Sequence, residues 1–267
     1  MDENKTISSL EFNDINFRYP FERKLLVKDY YLTLILYLIK DIEGIYFKGG
    51  TALNKIFLNH ARLSEDIDFS LTRSEKEVKV EIFHILKKCD FVKEITDGKI
   101  VDEFLRMIVK YKSELGEGEI FIDLNRRGKL ELKPERHKIN HFYLPFIPEF
   151  SVNTLAKEEI MAEKVAASIG RNKPRDHFDV YKIIQEGIPI NLELVKKKCK
   201  ESGDEFSILK MFNKAQTLKN RWDKDMVSLI SEPISFQEVI QFLAKYFKLK
   251  EEKEAKKKKT QDGNSHK

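Results

Sequence analysis

The segment FKGGTALNKIFLNHARLSEDIDF, residues 47–69, sets a Gly-Gly-Thr turn and an Asp-x-Asp pair about one helix apart. The double glycine follows the apolar residues Ile45, Tyr46 and Phe47 and precedes an amphipathic run. This order predicts a short buried strand, a tight turn and a helix from Thr51, its N-cap, to about Asn59. Backbone N–H groups at such a turn can face an anion, and a triphosphate suits them. Asp66 and Asp68 alternate with Ile67 and Phe69, so on a strand both carboxylates share one face and both apolar side chains the other. Like charges this close repel unless a cation lies between them, and a hard ion such as Mg²⁺ (or Mn²⁺) takes oxygen ligands and shares them with substrate phosphates. Taken singly, the turn reads as an ordinary strand-to-helix connection and the acids as a solvated pair. Together they supply what phosphoryl chemistry needs, an amide cradle beside a metal platform.

Upstream, residues 1 to 20 read as irregular, and Pro20 opens a helical pattern from about Phe21 to Ile42, with Leu25, Leu26, Tyr30, Leu34, Tyr37 and Leu38 at helical spacing. Downstream, a helix is expected over Ser74–Lys88. Strands follow at Phe91–Thr96, Phe104–Tyr111 and Glu119–Asn125, with a turn at Asp97-Gly98 and a connection at Gly116-Glu117-Gly118. In the last strand Glu119, Phe121 and Asp123 share a face opposite Ile120, Ile122 and Leu124. Asp123 therefore joins Asp66 and Asp68 if its strand lies beside theirs.

Residues 126 to 153, with Pro134, Pro145 and Pro148, read as connections and short extended pieces. Beyond them helical patterns cover Thr154–Arg171, Pro174–Gln185, Leu192–Glu201, Glu205–Asn220, Arg221–Ile230 and Ser235 to about Leu249. The shift from mixed α/β to all-α sets three expected parts: an α/β domain over residues 1–150, a helical bundle over 151–247, and a disordered lysine-rich tail over 248–267. In the bundle Lys164 and Arg171 lie seven residues apart and share a helix face. They either grip a phosphate tail or base, or are ordinary surface residues. Asp176, in the first turn after Pro174, equally well complements the helix dipole.

With 41% hydrophobic and 35% charged residues, the composition is that of a globular protein with a heavily charged surface. Most of the net charge of +5 belongs to the tail, which holds eight lysines against four acidic residues. The most apolar run, Tyr30–Ile39, is about half of what a membrane helix needs, so no membrane association is expected. The N-terminus shows no secretory pattern, and Cys89 and Cys199 lie outside any C-x-x-C pattern. Both point to a reducing cytoplasm and away from a zinc site or disulfide framework. The six histidines have no ligand spacing, and His177 reads as a helix-surface residue.

The runs F-K-G-G-T-A-L, R-L-S-E-D-I-D-F, I-F-I-D-L and A-E-K-V-A-A-S-I-G-R-N-K-P-R-D-H-F-D-V-Y, in that order over residues 45 to 181, resemble the AbiEii/AbiGii toxin family of nucleotidyltransferases, which includes the MenT toxins. The resemblance implies an α+β fold, a DNA polymerase β-like mixed-sheet core followed by a helical bundle. It implies that Gly49, Gly50 and Thr51 hold the nucleotide phosphates, that Asp66 and Asp68 bind the metal with Asp123 as third carboxylate, and that Lys164 and Asp176 are the later-motif lysine and aspartate. Lys55, Arg62 and Arg171 are candidate nucleotide contacts. It further implies a metal-dependent transfer of a nucleoside monophosphate from an NTP to an acceptor hydroxyl, with the 3′ end of tRNA as acceptor and an antitoxin protein as partner. Transfer to a protein hydroxyl, and a non-catalytic nucleotide- or RNA-binding module, stay open as alternatives.

Overall fold

The computed structural model describes residues 7–254 and Lys256. The chain divides into two compact units, one reaching Ile160 and including Ser228–Ser231, the other taking the remainder. The first unit opens with helices α1 (Ser9–Arg18) and α2 (Arg23–Ile39), strand β1 (Ile45–Lys48) and the short helix α3 (Gly49–Ala52), which widens into a π-helical turn over Leu53–Phe57. Strand β2 (Asp66–Leu71), helix α4 (Glu75–Leu86) and strands β3 (Val92–Val101), β4 (Phe104–Ser113), β5 (Gly116–Asn125), β6 (Glu135–Lys138) and β7 (Ser151–Thr154) follow. The seven strands form one mixed sheet in the order β3-β4-β5-β2-β1-β7-β6. Strands β2 and β5 run parallel, as do β1 and β7, and the other neighbours are antiparallel.

Strand alternation divides the sheet into two faces. Ile67 and Phe69 of β2, Leu105, Met107 and Val109 of β4, and Ile120, Ile122 and Leu124 of β5 are all buried. Helices α2 and α4 lie on these strands, with Val78, Ile82 and Leu86 of α4 buried and Tyr31 of α2 stacked on Tyr111 at 4.5 Å. The expected stripe on α2 is wider than the spacing suggests: Val27, Asp29, Tyr31, Leu32, Ile35 and Leu36 are buried as well, so the helix is enclosed on most sides. Among the described residues no helix is long and apolar enough to cross a membrane.

Several local expectations are corrected. Residues 9–18 form α1, started by a capping box in which Ser8 and Glu11 bond each other's backbone N–H. The expectation for residues 1–6 lies outside the described residues. Asp97-Gly98 is no turn, because β3 runs through it with a register irregularity between Asp97 and Ile100. The hairpin closes at Asp102-Glu103, where Glu103 takes φ +55°. The helix after the glycine turn begins at Gly49, and the Thr51 hydroxyl, released from capping, donates to the Asp66 carbonyl.

The second unit is helical. Helix α5 (Lys157–Gly170) enters it, followed by α6 (Pro174–Gln185), α7 (Leu192–Glu201), α8 (Ile208–Phe212), α9 (Ala215–Met226) and α10 (Phe236–Tyr246). Pro174 stands in the first turn of α6, and the Asn191 side chain caps α7 by accepting from Leu194 N–H. The patterns expected over Glu205–Asn220 and Arg221–Ile230 are redistributed into α8 and a single α9 that runs through Asn220 and Arg221. His177 is buried, with its ring nitrogens against the carbonyls of Lys173 and Met211, which corrects its reading as a surface residue. The tail, expected to be disordered from residue 248, is helical at residues 249–254 and at Lys256. Its glutamates and lysines are good helix formers, and Lys248 pairs with Glu251 one turn on. Residues 255 and 257–267 of that tail lie outside the described residues.

Candidate active site

On the face of the sheet opposite α2 and α4, Asp66 and Asp68 of β2 project side by side. The parallel register sets Asp68 opposite Asp123 and Asp66 opposite Phe121, so Asp123 lies beside the pair as the alternation requires. Lys48, the last residue of β1, stands opposite Asp68 on the other flank. Gly49 follows with φ +78°, and a Cβ there would run into the Asp68 carboxylate. A Cβ on Gly50 would lie 2.6 Å from Nη2 of Arg62, whose guanidinium is buried beneath the turn and also bonds the Leu63 carbonyl. Asn54, in the π-helical turn, braces this arrangement by donating to the Gly50 carbonyl and accepting from Arg62 N–H. Gly49→Ala is therefore expected to lower transfer about 10²-fold through misplacement of the Asp68 carboxylate against the turn. Steady-state rates, alongside a circular dichroism spectrum to confirm folding, measure this.

Asp123 is engaged differently from the expectation that it is a third metal ligand. Arg106 of β4, opposite it in the antiparallel register, grips it in a bidentate pair, Nε to Oδ1 at 2.6 Å and Nη2 to Oδ2 at 2.7 Å. The same guanidinium lies over the Phe121 ring, 4.9 Å from its centroid. Its pKa is raised, first by the hydrogen bonds to Asp123 and further by the charges of Asp123, Asp66 and Asp68. Among the described residues no group of three or more His, Cys, Asp or Glu side chains is arranged to hold a metal ion, and Asp123 is paired with Arg106 beside Asp66 and Asp68.

Lys55 does not face the turn. Its ammonium, 1% exposed, lies 2.8 and 2.9 Å from the two oxygens of Asp29 and 2.9 Å from the Thr33 hydroxyl, both on α2. The Tyr143 hydroxyl lies 3.0 Å from the same carboxylate. A charge this deep needs a fixed counter-charge, so Lys55 is a core anchor for the π-helical turn and not a nucleotide contact. Burial and then the nearby Lys55 charge hold the His60 imidazole down at about 4. It is neutral in the fold and donates from Nε2 to the Asn140 carbonyl at 3.0 Å. Between pH 6.5 and 4 the unfolded chain takes up this proton and the folded chain does not. The contribution is full above pH 6.5 and is lost as pH falls through 4, by about 3 kcal/mol. Urea unfolding across this range is expected to show that loss for wild type and a flatter profile for His60→Gln.

In the helical unit three more predicted residues come together. Lys164 of α5, mostly buried, lies 3.1 Å from Oδ1 of Asp176 and 3.0 Å from Oδ2 of Asp179, both on α6. Arg171 reaches Asp176 Oδ1 at 3.0 Å with its own side chain more than half exposed. Lys164, Arg171 and Asp176 thus form one charged cluster that ties α5 to α6.

A family model described as nucleotidyl transferase AbiEii toxin, Type IV TA system, matches residues 36–244. The chain belongs to the AbiEii nucleotidyltransferase toxin family. Among solved structures, JHP933 from Helicobacter pylori is 18% identical over 92% of this chain and 99% of its own, with a TM-score of 0.60. A candidate nucleotidyltransferase from H. pylori is 18% identical over 85% of this chain and 95% of its own, also at 0.60. At this identity both likenesses concern the fold. No curated protein matches the chain.

The AbiEii fold thus carries a nucleotidyltransferase whose residues can be tested against a divalent metal. Asp66 and Asp68 fit one: two hard oxygen donors share a face, and one of them fills the space a side chain at Gly49 would need. Mg²⁺ commonly takes only one or two protein carboxylates and completes its shell with phosphate oxygens and water. Sequence reasoning missed Arg106 and Asn54. For Arg106 the signal was its alternation with Met107 on a strand hairpinned to that of Asp123. For Asn54, a short amide between the Gly50 carbonyl and the backbone of a buried arginine, no local pattern marked it out.

Proposed function

We propose that this AbiEii-family enzyme transfers a nucleoside monophosphate from an NTP to a hydroxyl of an RNA acceptor, the 3′ end of tRNA. The observation that carries the reading is the approach of the Asp68 carboxylate to Gly49, where it fills the space of a Cβ, because it brings an acidic side chain against the glycine turn. In this reading the amides of the turn hold the terminal phosphates, Arg62 beneath Gly50 keeps the turn in place, and Asp66 and Asp68 hold Mg²⁺. When bound there, Mg²⁺ supplies charge compensation and polarises the α-phosphoryl oxygens. Lys164, Arg171 and Asp176 take their nucleotide roles from the family motif. Because they also satisfy one another within the helical unit, their variants are expected to affect stability as well as transfer.

The RNA acceptor follows from the family resemblance, with a protein hydroxyl as the alternative. A cognate antitoxin is the partner this family reading implies. Incubation with Mg²⁺, each α-labelled NTP in turn, total tRNA and a protein extract tests the proposal. Label is expected on RNA, from one preferred nucleotide, and absent with Asp66→Ala. Label on a protein band instead selects protein nucleotidylation. NTP binding without pyrophosphate release selects the non-catalytic module.

A further inference from the structure

The bidentate pair between Arg106 and Asp123 is a built feature of the sheet. Both carboxylate oxygens are covered at 2.6 and 2.7 Å, and the Phe121 ring lies under the guanidinium. Across the next strand Gly98 leaves room for the arginine stem, since a Cβ there would sit 3.1 Å from Arg106 Cγ. Asp123 in turn lies in register with Asp68 on the parallel neighbour, at the spacing of adjacent strands. Without the guanidinium three carboxylates would crowd one face of two strands, and a divalent cation would relieve their repulsion in the absence of any nucleotide.

We propose that Arg106 is a positioning residue that keeps Asp123 from ligating metal while no nucleotide is bound, leaving the free cation only Asp66 and Asp68. The inference rests on the metal platform proposed above. It makes firm metal binding depend on the nucleotide, whose phosphates supply the oxygens that Asp123 withholds. Arginine suits the task because its planar fork covers both carboxylate oxygens at once, which a lysine cannot do.

The test is Mn²⁺ binding to the nucleotide-free full chain, followed by the loss of the free-ion paramagnetic resonance signal. Arg106→Gln is expected to bind Mn²⁺ about tenfold tighter than wild type, and Arg106→Lys about threefold tighter, because one Asp123 oxygen is then exposed. Arg106→Gln combined with Asp123→Asn is expected to return to the wild-type affinity. Equal affinity of Arg106→Gln and wild type overturns the inference. So does a tighter Arg106→Gln beside an unchanged Arg106→Lys, which reports charge alone and no release of a ligand. Retained Mn²⁺ binding in an Asp66→Asn/Asp68→Asn variant overturns the platform and the inference with it, whereas an unchanged Arg106→Gln overturns the role of Arg106 alone.

Discussion

Asp66→Asn and Asp68→Asn, each alone, are expected to lower nucleotidyl transfer about 10³-fold or more, since a metal's polarisation of a phosphoryl group is worth several kcal/mol and each decade of rate about 1.4. Asparagine keeps the shape of the side chain and removes the charge that holds a cation. Both residues sit half-buried on the polar face of β2, so the apolar packing of Ile67 and Phe69 against the helices is untouched. Folding is therefore expected to survive, and unfolding midpoints close to wild type identify the loss as chemical. The effect should fall on the transfer rate more than on KM, because the interaction lost is strongest where charge develops on the phosphate oxygens.

Lys55→Met is expected to destabilise the fold by about 3–5 kcal/mol, the scale for leaving one member of a buried ion pair without its partner. Asp29, 1% exposed, would lose its ammonium partner and retain the Tyr143 hydroxyl at 3.0 Å. Adding Asp29→Asn to Lys55→Met should recover a large part of the loss, because a neutral pair of similar volume carries no uncompensated charge. Urea midpoints of the two single variants and the double variant give the coupling directly. The π-helical turn that holds Lys55 also holds Asn54, so the single variant is expected to lose transfer activity at temperatures where it is still folded.

What the sequence made legible follows from how local each signal was. The bounds of α6 and α7 match the expected spans, with α6 opening at Pro174, because a helix start is written in adjacent residues. The faces of β2 and β5 followed from alternation, but their parallel pairing joins residues more than fifty apart, and no local pattern states it. Arg106 was lost to register. Strands ending at Tyr111 and starting at Glu119 would pair Arg106 with Leu124, whereas the observed two-residue turn at Glu114-Leu115 pairs it with Asp123. A slip of one residue moves every side chain to the other face. Lys55 was misread because a lysine just past a glycine turn resembles a phosphate ligand, and its partner lies 26 residues upstream. Asp29, an acid among the buried residues of α2 just ahead of its apolar run, was the overlooked sign that a buried cation was needed.

The reading of residues 47–69 as the seat of nucleotidyl transfer is tested most directly by the position of the label that moves. With Mg²⁺ and tRNA, α-labelled NTP is expected to leave label on the RNA and γ-labelled NTP to leave none, with pyrophosphate released in step and both signals abolished in Asp68→Asn. Transfer of the γ-label, or α-label transfer that persists in Asp68→Asn at the wild-type rate, would contradict it.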